Sequence, residues 1–452
     1  MRWKCVANIV RKYATKSNQF HVGIVGAGPA GFYCAQQLIK IIPDCQIDII
    51  EKLPVPFGLV RYGVAPDHPE VKNVINTFTK IALHKNVRFI GNVTLGQDLT
   101  LSQLKQSYNA VVLAYGAEED RKLNIPGENL SNVISASKFV GWYNGLPANK
   151  SIHENLNLDV EDAVIVGQGN VALDIARILL TPVDILKKTD ITEYSLEALS
   201  RSRVKNITLI GRRGPLQVSF TIKEFREILK LHGVSTKFQN GQMNGIDELI
   251  GGLQRPRKRL IQLMYDASKN NIDEEKKFNI LFLRTPILIE GSEHVKGILL
   301  SKNLLEGEKA KITEQKNKLK CDIIFRSIGY RSIQIDPEIP FDKLTSTVPQ
   351  NTGLYSVGWL SSGPVGVILS TMSQAFQIAE LVGKHFNEGL INEPKPGYNN
   401  ISRLLLKRNV ITVDWEGWTR IDKEEITRGM KSNKIREKIV DIDEMVQIGG
   451  NI

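Results

Sequence analysis

His21-Val22-Gly23-Ile24-Val25-Gly26-Ala27-Gly28-Pro29-Ala30-Gly31, then a helical pattern from Phe32 to Ile42 and Gln46-Ile47-Asp48-Ile49-Ile50-Glu51, reads as strand, glycine turn, helix and strand. The turn is G-x-G-x-x-G, and Glu51 stands 20 residues after its last glycine. The spacing has a physical cause. Gly26 permits the tight turn, Gly28 leaves the backbone open to a pyrophosphate, and Gly31 lets helix and strand pack closely. The helix start then presents free N–H groups to phosphate. Gly26, Gly28, Ala30 and Gly31 are the candidate contacts in the turn, and Glu51 can accept from both hydroxyls of a ribose. This is the beginning of an α/β, dinucleotide-binding (Rossmann-like) fold.

A second unit of the same design lies downstream. Ala163-Val164-Ile165-Val166 is its strand, Gly167-Gln168-Gly169-Asn170-Val171-Ala172 its turn and Leu173 to Leu180 its helix, with alanine at the third glycine position. The next strand, Asn206 to Ile210, runs into Gly211-Arg212-Arg213-Gly214, so arginine stands where the first unit carries its acid. A guanidinium cannot accept from a ribose hydroxyl but pairs well with a 2′-phosphate. The first unit therefore suits the ADP half of FAD, and the second suits NADPH rather than NADH. Gln168, Gly169, Asn170, Val171, Arg212 and Arg213 are its candidate contacts. The interval from Ala172 to Arg212 is 40 residues, so 181–203 is expected to be an insertion with its own helix.

Two dinucleotides whose reactive rings must meet call for two facing domains. Asn109 to Gly116 and Cys321 to Gly329 read as strands and as the crossings between them. Gly353 to Trp359 is another strand with a sharp glycine end. Gly363-Pro364-Val365-Gly366-Val367-Ile368 then opens a helix running to about His385. Its N-terminus beside a flavin would stabilise negative charge. The polar, weakly periodic stretches 271–277 and 306–320 read as surface loops.

The chain has 452 residues, 42% hydrophobic and 24% charged, which excludes a wholly disordered, collagenous or coiled-coil protein. No run approaches the roughly 18 apolar residues of a membrane span. Cys5, Cys34, Cys45 and Cys321 form no C-x-x-C pair, so neither a redox dithiol nor a zinc ribbon is visible, and no metal ligands are assigned. Buried, inert thiols are expected. The net charge of +11 is uneven: residues 1–20 hold Arg2, Lys4, Arg11, Lys12 and Lys16, and the first acid is Asp44. That pattern reads as a mitochondrial transit peptide. Removing those five charges leaves +6, which favours an acidic partner. Arg255, Arg257, Lys258 and Arg259 place four cations in five positions. On a helix Arg255 and Arg259 share a face, as do Arg226 and Lys230, and Pro256 fits a helix start.

Pro56-Phe57-Gly58-Leu59-Val60-Arg61-Tyr62-Gly63-Val64-Ala65-Pro66-Asp67-His68-Pro69 closely resembles the adrenodoxin reductase family, as do 141–147, 167–177, 211–221 and the tail from Asp414-Trp415 to Arg428-Gly429. The similarity runs over about residues 20 to 448. It implies a glutathione-reductase-like pair of Rossmann-like domains: a transit peptide at 1–20, an FAD domain split into 21–118 and 326–452, and an NADPH domain at 119–325 inserted between them. It further implies FAD contacts at Leu59, Leu95, Trp359, Gly366, Val367 and Ile368, and NADPH contacts at Glu224 and Gly366. Arg226, Arg255 and Arg259 are implied contacts for an acidic mitochondrial [2Fe–2S] ferredoxin.

The implied reaction takes hydride from NADPH onto FAD and passes single electrons to the ferredoxin, for steroid hydroxylases, iron–sulfur cluster assembly or both. It needs no nucleophile. His68 and Asp174 are the titratable candidates for tuning proton or electron movement. Asp174 lies in the first turns of a helix, where a carboxylate gains from the dipole. The implied location is the mitochondrial matrix, with at most peripheral contact with the inner membrane. Two other readings remain at this stage. One is a different NADPH flavoenzyme, such as a disulfide reductase or a glutamate-synthase-like NADPH module. The other is an RNA-binding dinucleotide fold, for which no aromatic stacking motif is present.

Overall fold

The computed structural model describes residues 19–270, 272–363 and 368–451. Residues 1–18, with Cys5 and most of the expected transit peptide, lie outside them, as do Gly366 and Val367.

Two parallel sheets organise the chain. The first has the strand order Leu354–Ser356, Ala110–Leu113, His21–Val25, Gln46–Ile50 and Val87–Ile90. The second runs Val133–Ser135, Ile323–Arg326, Asp162–Val166, Asn206–Ile210, Lys276–Leu281 and Val234–Phe238. The central strands of both are nearly continuous apolar runs because helices cover both faces. Pro29–Ile41 packs against Ile368–Asn387 on the first sheet, and Asn170–Leu180 is buried along most of its length on the second. Each sheet has its own large apolar core.

The chain leaves the first sheet after Leu113 and returns to it at Leu354. The outgoing and returning segments run side by side: Glu119–Asp120 pairs antiparallel with Tyr330–Arg331. The Arg331 guanidinium grips the Glu119 carboxylate at 2.7 and 2.8 Å.

Three expectations need correction. The stretch 306–320 is not a loop: Lys309–Lys320 is the edge strand of a three-stranded antiparallel sheet with Arg284–Gly291 and Val295–Glu306. Both its faces are largely solvated, so it lacks the alternation by which a strand is recognised. Its row of lysines is typical of an edge protected against further pairing. The other stretch expected as loop, 271–277, gives way to strand at Lys276. The insertion 181–203 holds two helices rather than one, Val183–Leu186 and Glu193–Ser200.

Candidate functional site

The two glycine turns are built alike. Gly26 has φ 113° and Gly167 φ 124°, which L side chains rarely adopt. A Cβ there would strike the Ala114 carbonyl at 2.5 Å and the Ser327 carbonyl at 2.0 Å. At Gly31 a Cβ would meet the Gly26 carbonyl at 2.1 Å, so that glycine is required by packing. Gly28 and Gly169 differ: a Cβ on either would meet nothing within 4 Å. Both are helix N-caps without a side-chain cap, so the first helical N–H groups face open space. A dinucleotide pyrophosphate fits such a place, with backbone accessible and helix dipole unopposed.

Around the first turn the fold gathers most of the residues singled out from sequence. Glu51 accepts from the Ala27 N–H at 2.8 Å through one oxygen and from the Leu53 N–H at 3.1 Å through the other. Burial pushes its carboxyl above the usual range, and those two donors oppose the shift. Each oxygen keeps a lone pair for a ribose hydroxyl. Leu59 follows Gly58, whose Cβ position is 3.2 Å from the Gly28 Cα, and Trp359 follows Gly358, whose Cβ position is 2.9 Å from the Ala30 Cβ. Leu95 is buried two residues beyond Val93, whose N–H bonds the Glu51 carbonyl at 2.9 Å. Ile368 opens the helix Ile368–Asn387, which packs against Pro29–Ile41, the helix that follows the turn.

The second turn opens into a cavity of about 790 Å³ lined by Gln168 to Val171, Arg212 and Arg213, with Tyr330 and Trp359 also in its wall. Tyr330 and Trp359 stack with centroids 5.7 Å apart, so one aromatic pair joins the first-sheet segment to this cavity. The Gln168 Nε2 is buried without a hydrogen-bond partner. Among the described residues Arg212 and Arg213 take part in no ion pair. An orphaned donor and two free guanidiniums fit a phosphorylated, polar ligand.

Glu224, implied by the resemblance to contact NADPH, is not among the residues that line this cavity, and one oxygen of its carboxylate is buried without a hydrogen-bond partner. It joins a cluster between the two sheets around Arg177. That guanidinium binds Asp67 through two nitrogens, Asp174 at 2.8 Å, and approaches Glu224 at 3.5 Å and Glu227 at 3.7 Å. His68 Nε2 is 2.5 Å from Glu227 and 3.9 Å from Glu224. The two titratable candidates, His68 and Asp174, therefore meet in one cluster. Burial raises Asp174, against Arg177, which lowers it. Burial also raises Glu224, with Asp174 adding to the effect. Burial alone would lower Arg177, but Asp67 and Asp174 outweigh it and keep the guanidinium charged. Sequence reasoning missed Arg177 and Glu227. Arg177 carried a signal, since it stands one turn after Asp174.

Arg226 lies on the helix Ile222–Leu229, and Arg255 and Arg259 on the helix Arg255–Ser268, which begins at the expected proline. All three are exposed. The two helices pack together. Cys34, Cys45 and Cys321 are buried and free, with thiols pushed up to about 12 by burial, so they offer no thiolate for dithiol chemistry.

Comparison with known proteins agrees with this geometry. The pyridine nucleotide-disulphide oxidoreductase family matches residues 20–247. The mitochondrial NADPH:adrenodoxin oxidoreductase of Drosophila melanogaster is 48% identical over 94% of this chain and 93% of its own length. The Homo sapiens protein of the same name is 44% identical over 97% and 94%. FprA from Mycobacterium tuberculosis, solved in complex with NADPH, superposes with a TM-score of 0.90 at 35% identity, covering 95% of this chain and 99% of that one. Identity at this level over nearly the whole length, on two dinucleotide turns that each keep an open glycine, means that the chain belongs to the NADPH:adrenodoxin oxidoreductase family.

Proposed function

We propose that this chain is an FAD-dependent NADPH:ferredoxin oxidoreductase of mitochondria, delivering single electrons to an acidic [2Fe–2S] ferredoxin. One observation carries the reading: a single chain holds two open glycine turns, one backed by an acid and the other by two unpaired arginines. Bound FAD supplies the chemistry of accepting a hydride as an electron pair and releasing the electrons one at a time.

The protein's own residues supply the rest. In this reading 21–118 and 326–452 form the FAD domain and 119–325 the NADPH domain. The Gly26–Gly31 turn, Leu59, Leu95, Trp359 and Ile368 hold the flavin nucleotide, and Glu51 anchors its ribose. Gln168 to Val171 receive the NADPH pyrophosphate, and Arg212 and Arg213 the 2′-phosphate. On family resemblance alone, Gly366 and Val367 belong to the flavin contacts, and Glu224 and Gly366 to the NADPH contacts. Trp359 and Tyr330 close the passage between the two turns. Asp174 and Glu224, raised by burial, and His68 between two glutamates form a proton-holding cluster behind it. Arg226, Arg255 and Arg259 dock the ferredoxin.

The relatives are mitochondrial by name, and the basic leader extends that to import into the matrix. No helix among the described residues is long and apolar enough to cross a membrane.

The test is direct. The purified protein should be yellow, release FAD on denaturation, and reduce a [2Fe–2S] ferredoxin with NADPH far better than with NADH. A colourless protein, or one that passes no electrons from NADPH to any mitochondrial ferredoxin, would sink the reading.

A further inference from the structure

We propose that Arg284 is a third guanidinium of the 2′-phosphate pocket and a determinant of the preference for NADPH. The inference rests on the reading of Arg212 and Arg213 as 2′-phosphate ligands, and extends it to a residue 71 positions away in a different sheet.

Arg284 opens the strand Arg284–Gly291 and lines the same cavity as Arg212 and Arg213. The two segments are sewn together along the backbone. The Arg284 N–H bonds the Gly211 carbonyl at 2.9 Å, the Leu283 N–H bonds the Arg213 carbonyl at 3.2 Å, and Asn303 Nδ2 bonds the Arg212 carbonyl at 2.7 Å. Leu283 sits at φ 55°, a left-handed conformation that leucine adopts only when its surroundings impose it. The antiparallel sheet thus forms a rigid wall behind the arginine pair, with Arg284 set into that wall.

The guanidinium itself is held only by neutral groups. Nε donates to Asn317 Oδ1 at 3.0 Å, Nη2 to Gln239 Oε1 at 3.2 Å, and Nη1 to the carbonyls of Leu283 at 3.0 Å and Phe282 at 3.4 Å. Among the described residues no carboxylate pairs with it. The more deeply buried arginines differ: Arg61 faces Glu425, Arg177 faces Asp67 and Asp174, and Arg326 faces Glu128. A part-buried cation gains from a counter-charge, and the cavity that Arg284 lines can hold one. Asp120, the acid on that lining, is engaged with Ser135 and Ser137. A phosphate monoester, with close to two negative charges and three acceptor oxygens, matches three guanidiniums better than two. Side-chain amides and carbonyls fix the orientation of Arg284 while leaving its charge whole, as a preorganised phosphate ligand requires.

The experiment measures binding to the FAD-loaded enzyme by calorimetry, with 2′,5′-ADP and 5′-ADP as probes. Arg284→Gln should weaken 2′,5′-ADP by roughly ten- to a hundred-fold, the worth of a charge-assisted hydrogen bond, and leave 5′-ADP unchanged. Arg284→Lys, which keeps the charge and perturbs the wall least, should recover part of the loss, and it decides the matter if Arg284→Gln does not fold. Equal weakening of both probes would mean that Arg284 only braces the wall, and an unchanged 2′,5′-ADP affinity in both variants would also overturn the proposal. The double variant Arg212→Gln, Arg213→Gln separates the two claims. If it loses the discrimination while the Arg284 variants keep it, only this inference fails. If it keeps the discrimination, the pocket itself is misassigned.

Discussion

Asp190 is the most telling place to perturb the fold. It lies in the insertion of the second unit, yet its carboxylate binds Lys72 of the first unit at 2.7 Å through both oxygens, and Lys438 of the C-terminal segment at 3.0 Å. The Lys438 side chain is 1% exposed, so its ammonium has almost no water. Burial pulls the Lys438 amine down to about 7, with Asp190 opposing the shift. Burial alone would raise Asp190, but Lys438 and Lys72 outweigh it and hold the carboxylate ionised. Asp190→Asn would leave two buried or near-buried ammoniums without their carboxylate. Breaking such a buried pair from one side costs about 3–5 kcal/mol, whereas replacing both partners by apolar groups is often neutral. Urea unfolding at pH 6 should therefore show a loss of that order for Asp190→Asn, and Lys438→Met added to it should return a large part.

The pH dependence has a definite sign. Lys438 titrates near 7 in the folded chain and near 10.4 when unfolded, so between those values the unfolded state binds more protons. Lys438 itself therefore makes stability rise with pH across that window. Because Asp190 interacts chiefly with the charged amine, the deficit of Asp190→Asn should be largest at pH 6. It should narrow toward pH 8.5, where Lys438 is mostly neutral in both proteins. A variant within about 1 kcal/mol of the parent at pH 6, or a deficit that grows with pH, would refute this reasoning.

Other outcomes follow from the site. Glu51→Ala should purify with much less FAD, measured as the flavin-to-protein absorbance ratio, because the ribose hydroxyls lose their acceptor; full flavin content would mean that the two nucleotide sites are reversed. Reversing Arg255 and Arg259 to Glu should strongly slow ferredoxin reduction and flatten its salt dependence, since steering depends on those charges. Ferricyanide reduction by NADPH should hardly change, and an equal loss of both activities would show that the arginines serve the fold or the cofactor. Mass spectrometry of the protein from mitochondria should find an N-terminus near residue 20; one at Met1 or Arg2 would contradict import with cleavage.

Much of the site was legible in the sequence because its geometry is local. A strand, a three-glycine turn and a helix N-terminus lie within some twenty residues, and the pattern is readable there even though Gly26 and Gly167 are also required by the distant Ala114 and Ser327 carbonyls. The second turn and its arginine pair follow the same rule, as does the helix start at Arg255-Pro256. These short-range patterns also carried the family resemblance, and with it the expectation of FAD, NADPH and a ferredoxin.

What tertiary structure alone decided depends on contacts between distant positions. Asp67 reaches Arg177 across 110 residues, and His68 reaches Glu227 across 159. No periodicity announces that four carboxylates will gather around one buried guanidinium. Lys309–Lys320 is a strand because Val295–Glu306 offers it hydrogen bonds; its own side chains, wet on both faces, say nothing of it. Arg284 stands beside Arg212 for the same reason, since a sheet's register is set by backbone pairing between segments and not by the composition of either one.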